Sequence, residues 1–232
     1  MRWVLGTTLL LSVYLGTGQA VKCLQCTSYD DIGCSVSPTD CLSSSDVCAT
    51  TIVRNRGFRY TGYYFIRSCV SASECLNNGR VTGLYTETAF NTSCCPGDGC
   101  NTGKPALPKL NLTLNGLLCP AYATTDMEPC DIKNVSACTG NQTRCIRYST
   151  STKFGPLGSR KSMFTSNLYL GGCTTESVCT SDKSYISADG VSFETKRTCY
   201  NSASSLQART LVCGLPILLL LLKAFLGSCI SV

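Results

Sequence analysis

The sequence predicts an all-β protein made of two small, disulfide-rich domains in tandem. Three observations carry that prediction. Nineteen cysteines stand in 232 residues, about 8% of the chain, which approaches the density of a disulfide scaffold. Their spacing repeats once along the chain. The stretches between them read as short strands and turns, with no amphipathic helix of useful length.

Both ends carry processing signals. Arg2, the apolar stretch from Val4 to Leu15 and the small residues around Ala20 make residues 1–20 a secretory signal peptide, with cleavage expected after Ala20. The run is too short for the ~20 residues of a membrane span. At the far end, the small residues Asn201 to Ser205, a polar spacer and an apolar run from Leu211 to Leu222 match a glycosylphosphatidylinositol attachment signal. Lys223 and the shortness of the run argue against a spanning helix. The lipid is expected on Asn201 or Ser202, with 202–232 removed.

The secretory route makes disulfides the expected fate of the thiols. Ten cysteines lie between Cys23 and Cys100 and seven between Cys119 and Cys199; Cys213 and Cys229 fall in the tail. Six residues separate Cys41 from Cys48, and six separate Cys138 from Cys145. Five separate Cys69 from Cys75, and five separate Cys173 from Cys179. Two homologous modules account for this repeat. They are expected over 21–101 and 119–201, with a linker over 102–118 marked by Pro105 and Pro108. Modules of this size bury little apolar surface and depend on their bridges.

In the first module, Cys48 to Val53 and Tyr60 to Cys69 read as the arms of a hairpin with Arg54-Asn55-Arg56-Gly57 near its tip. Cys145 to Ser149 and Asn167 to Leu170 do the same in the second, around Gly155-Pro156-Leu157-Gly158. Histidine is absent, which removes the commonest general base and the commonest metal ligand. Cys23-Leu24-Gln25-Cys26 lacks the second pair or histidines that zinc requires. No enzyme activity, metal or cofactor is expected. The formal net charge is +6, and Arg2, Arg209 and Lys223 of that balance lie in the terminal signals. The remainder is too mild to imply a nucleic-acid partner.

Cys23-x-x-Cys26 at the start and Cys94-Cys95-Pro96-Gly97-Asp98-Gly99-Cys100-Asn101 at the end give the first module a specific signature. It resembles the urokinase-receptor and lymphocyte-antigen-6 family of three-finger, snake-toxin-like domains. That resemblance implies the pairing Cys23–Cys48, Cys26–Cys34, Cys41–Cys69, Cys75–Cys94 and Cys95–Cys100, and gives Asn101 the task of tying the base of the fold. The second module, with Cys119-Pro120-Ala121-Tyr122, Cys138 to Cys145 and Gly171-Gly172-Cys173, is similar to the second domain of the gamma-type phospholipase A2 inhibitors. Transferring their pairing gives Cys119–Cys145, Cys138–Cys173 and Cys179–Cys199. Two departures stand out. Tyr122 replaces a cysteine, leaving Cys130 without its partner, and Tyr200 follows Cys199 where a closing double-cysteine loop is expected. The second module's first finger should be the less constrained.

Three-finger domains bind through exposed loops on a stapled palm. The first middle finger, with Arg54, Arg56, Phe58, Arg59 and Tyr60, places arginine beside aromatics, the composition of interaction hot spots; the alternative is that these residues only pack and solvate the sheet. The second offers Lys153, Phe154, Arg160, Lys161, Met163 and Phe164. Asn91, Asn111, Asn134 and Asn141 begin glycosylation sequons. An unpaired Cys130 implies a disulfide-linked dimer or a free reactive thiol, the alternative being a buried, inert one. The resemblance implies an extracellular binding protein on the cell membrane, a receptor, decoy or adhesion molecule with a protein ligand. The alternative is a secreted inhibitor of phospholipase A2. With so short a spacing from Cys199 to the lipid, the second module should lie on the membrane and the first should project.

Overall fold

The cysteine-free stretches after Cys48 and Cys145 alternate β-branched or aromatic residues with small polar ones, so each forms a long arm that folds back on the next. The computed structural model describes residues 20–30, 32–57, 61–125, 127–129, 132–155 and 164–201. The first module holds β1 (Lys22–Cys23), β2 (Cys26–Ser28), β3 (Thr39–Asp40), β4 (Asp46–Arg56), β5 (Thr61–Ser71), β6 (Asn78–Thr82) and β7 (Glu87–Cys95). The second holds β8 (Leu114–Pro120), β9 (Tyr122–Thr124), β10 (Val135–Thr139), β11 (Arg144–Phe154), β12 (Phe164–Thr174), β13 (Lys183–Ala188) and β14 (Val191–Tyr200). Only two short 3-10 turns interrupt the strands among the described residues. The chain is therefore all-β, as expected for tandem three-finger domains. Strand β8 starts at Leu114, inside the span read as linker, because it pairs with β10.

Each middle finger is a full antiparallel hairpin. Its register runs from Asp46↔Ser71 to Arg56↔Thr61 in the first module and from Arg144↔Thr174 to Phe154↔Phe164 in the second. The third finger of the second module turns on Asp189-Gly190, with φ of 52° and 75°, the left-handed pair that a two-residue hairpin turn requires.

Bridges join Cys23–Cys48, Cys26–Cys34, Cys41–Cys69, Cys75–Cys94 and Cys95–Cys100 in the first module. In the second they join Cys119–Cys145, Cys138–Cys173 and Cys179–Cys199. Asn101, buried at the base, accepts from the Leu24 amide at 3.1 Å and donates to the carbonyls of Leu24 and Ala49 at 3.0 Å each.

The modules share one sheet, ordered β13-β14-β11-β12-β6-β7-β4-β5-β2, with β9 added against β12. The junction is the pairing of Cys173 with Thr82 and of Thr174 with Val81. Thr174 Oγ1 donates to the Arg80 carbonyl at 3.0 Å, and Gln142 Nε2 donates to Thr82 Oγ1 at 2.8 Å. Glycine makes this approach possible: a Cβ on Gly172 would stand 1.9 Å from the Thr82 carbonyl oxygen.

The sheet curls until β5 meets β13. Ile66 packs there on Ile186 and Ala188, Thr27 Oγ1 donates to the Ala188 carbonyl at 3.3 Å, and the Tyr185 amide donates to the Glu74 carboxylate. This closure explains why Phe65 and Ile66 are both buried although adjacent in a strand. Their side chains point to opposite faces; Phe65 lies under the first finger against Gly33 and Ile66 points into the second module. Val81 and Phe90 join Ile146, Tyr148, Leu170 and Val178 in a core that belongs to both modules.

Candidate functional site

Alternation along β4 divides the middle finger's residues between two faces. Thr51, Val53 and Asn55 face the second module, while Arg54 lies on the back of the sheet. There Arg54 Nη2 meets Glu87 Oε1 at 2.6 Å, with Arg80 Nε 3.7 Å from the same oxygen. Arg54 is half-buried and committed to the third finger. Arg56 is exposed at the end of β4. Phe58, Arg59 and Tyr60 lie outside the described residues, as do Arg160, Lys161 and Met163 of the other middle finger. Lys153 pairs with Glu194 at 3.7 Å, and Phe154 lies 5.7 Å from Phe164, centroid to centroid.

The second module's middle finger does not stand apart from the first. Both face a common interior of about 390 Å³. Gly57 and Arg56 border it from one finger, Thr152 and Ser166 from the other. The two middle fingers stand side by side because the junction at Thr82 and Gly172 fixes them.

Most wall residues are apolar, hydroxylic or amide-bearing; the charged ones are Arg56, Glu87 and Arg197, of which Arg197 alone is buried. Tyr64 meets Phe193 edge-on with centroids 5.2 Å apart, and Val53, Phe90 and Leu168 line the same space. Arg197 is 5% exposed. Its guanidinium donates to Ser184 Oγ at 2.7 Å and lies 5.7 Å from the centre of the Phe90 ring. Burial lowers its pKa, while Tyr148 and Glu74 act in the opposite direction. The Glu74 carboxyl is pushed up by burial and held back by the Tyr185 amide and Arg197. Neither residue was singled out from the sequence.

Where the second module lacks a cysteine, Tyr122 is buried and occupies the space over Gly171, whose added Cβ would stand 2.1 Å from the Tyr122 ring. Its hydroxyl donates to Glu128 Oε1 at 2.8 Å, and the same oxygen lies 3.2 Å from Arg147 Nε. Burial, and then the Glu128 carboxylate, push the phenol pKa well up. Cys130 and Ser202 lie outside the described residues, and Asn201 is exposed at their edge.

Three sequon asparagines, Asn111, Asn134 and Asn141, are exposed. Asn91 is half-buried and its amide donates to the Ala106 carbonyl at 2.7 Å. Two trios of close thiols, Cys23-Cys41-Cys69 and Cys119-Cys138-Cys173, are all committed to disulfides and offer no thiolate to a metal. Among the described residues no helix is long and apolar enough to cross a membrane.

Known proteins share features of this chain. Residues 19–103 match the u-PAR/Ly-6 domain. The chain is 26% identical over 175 residues to phospholipase A2 inhibitor NAI of Notechis ater, covering 74% of this chain and 82% of the relative. It is 27% identical over 177 residues to a gamma-type phospholipase A2 inhibitor of Gloydius brevicaudus siniticus, covering 73% and 82%. Among solved structures, that of mouse TEX101 aligns over 78% of this chain and 99% of its own at 14% identity, with a TM-score of 0.35.

Proposed function

We propose that this chain, a u-PAR/Ly-6 domain over residues 19–103 joined to a second three-finger module, is an extracellular binding protein held on the cell membrane by a glycosylphosphatidylinositol anchor. It acts as a receptor, decoy or adhesion molecule. The observation that carries this reading is the pair of stapled middle fingers fixed side by side, with Arg56 exposed at their shared end. Rigid sheets under exposed loops lower the ordering cost of a protein contact. Residues 1–20 serve as the signal peptide, and the tail after Asn201 or Ser202 is exchanged for lipid. Cys130 provides a thiol for a disulfide-linked dimer, visible on non-reducing gels as a doubled mass.

A second reading has its own support. Two relatives named as phospholipase A2 inhibitors each align over 82% of their length, which favours a secreted inhibitor that occupies the enzyme and keeps it from membranes. One experiment separates the two. The full chain is expressed in cultured cells, and intact cells are treated with a phosphatidylinositol-specific phospholipase C. Release into the medium is expected for the anchored protein. Protein already in the medium without lipid would overturn the anchored reading and put the inhibitor first.

A further inference from the structure

We propose that the interior between the two modules binds a single-chain amphiphile with an anionic head, and that Arg197 receives the head. The strands from β13 round to β5 form an eight-strand wall whose ends meet. Closed walls of about eight strands are just wide enough to hold one small ligand. The interior volume of about 390 Å³ lies at the low end of the roughly 300–1,000 Å³ of small-molecule sites. That size suits one acyl chain rather than two.

The chemistry of the wall selects the class. Val53, Tyr64, Phe90, Leu168 and Phe193 provide an apolar lining suited to a chain. Arg197 lies in the same wall, yet no carboxylate of the described residues forms an ion pair with it, and its Nε has no hydrogen-bond partner. Glu74 attracts the guanidinium from beyond contact distance, and burying a guanidinium with no anion in contact is costly. Two more buried polar atoms without partners, Asn77 Oδ1 and Thr86 Oγ1, belong to residues lining the same space. Buried polar atoms are nearly always satisfied. The Thr86 hydroxyl and the Arg197 guanidinium can donate to a polar head, whereas Asn77 Oδ1 only accepts and needs a donor of its own; the buried cation makes that head an acid. A carboxylate or a phosphate would meet both the charge and the Nε–H donor. The interior reaches Arg56 and Gly57 of the first middle finger, but its test reads amphiphile binding alone, so it stands or falls independently of the protein-binding reading.

The test uses the full chain solubilised from expressing cells and cis-parinaric acid as a fluorescent probe. Saturable binding is expected, with displacement by palmitate or by palmitoyl lysophosphatidate. Whichever of the two displaces the probe more strongly identifies the head as carboxylate or phosphate. Hexadecanol, with the same chain and no charge, is expected to compete at least about tenfold less well, since a hydrogen bond to a charged group contributes at least that factor. Arg197→Gln should weaken probe binding by a similar factor, and Arg197→Lys should retain much of it. Absence of saturable binding to the wild-type protein would overturn the proposal, as would equal competition by hexadecanol. If Arg197→Gln fails to fold, the acid-against-alcohol comparison on the wild-type protein still decides.

Discussion

The two modules share a framework and differ in how each closes on itself. The first has Cys26–Cys34 across its first finger and Cys95–Cys100 with Asn101 at its base. The second has Tyr122 wedged over Gly171 in place of the first and ends its last strand at Tyr200 in place of the second. It gains closure from its neighbour instead. Thr174 and Gln142 bond directly to the first module, and Val178 packs against a core that includes Val81 and Phe90. A module that has lost covalent closure can be completed by a partner, provided the backbones come close enough. Glycine at 172 provides that approach, while glycine at 171 admits Tyr122 of the same module on the strand's other face.

The largest effect is expected at the junction. Gly172→Val places a side chain against the Thr82 carbonyl, which cannot swing aside as a side chain could. The cost should be about 3 kcal/mol, and calorimetry should resolve two melting transitions where the wild type gives one. An unchanged single transition would mean that the modules do not depend on this contact. Next comes the first module's own staple. Cys26→Ser with Cys34→Ser removes a short covalent loop, and the denaturant midpoint should fall by the equivalent of about 2–3 kcal/mol.

Tyr122→Phe is milder. It keeps the ring over Gly171 and loses the bond to Glu128, so about 1.5 kcal/mol should be lost in the same measurement. A loss equal to that of the double serine variant would show that the hydrogen bond, not the wedge, replaces the disulfide. The smallest effect at neutral pH is titration. Tyr122 and Tyr200 are held neutral by burial, which raises both folded pKa values above the ordinary phenol value of 10.0; that of Tyr200 is pushed up to about 12. Their contribution is fully present below about pH 10 and is lost as pH rises towards about 12. Rapid-mixing fluorescence should show flat stability to about pH 10 and then a decline, smaller in Tyr122→Phe.

The framework was legible because cysteine spacing is a local, countable signal. Six residues between Cys41 and Cys48, repeated between Cys138 and Cys145, reveal two modules without reference to the fold. The Asp189-Gly190 turn is equally local, although the cysteine spacing gives no hint of it. The junction was not legible, since Val81 and Thr174 pair across more than ninety residues and no short-range pattern announces it. The same distance hid the interior. Alternation puts one of Lys196 and Arg197 on each face, but only the docking of the other module decides which is buried. It also decided the fate of Arg54, which reads as an exposed fingertip cation and instead pairs with Glu87 behind the sheet.

Hydrogen exchange on the full-length protein tests most directly whether the two modules form one closed unit. Backbone amides in the peptides covering Val81 and Thr174 should exchange as slowly as those of the central hairpins, because they open only with the shared sheet. Gly172→Val should speed exchange in both peptides together. Fast exchange at these two positions in the wild type, with the hairpins still protected, would show two independent modules and contradict the shared interior.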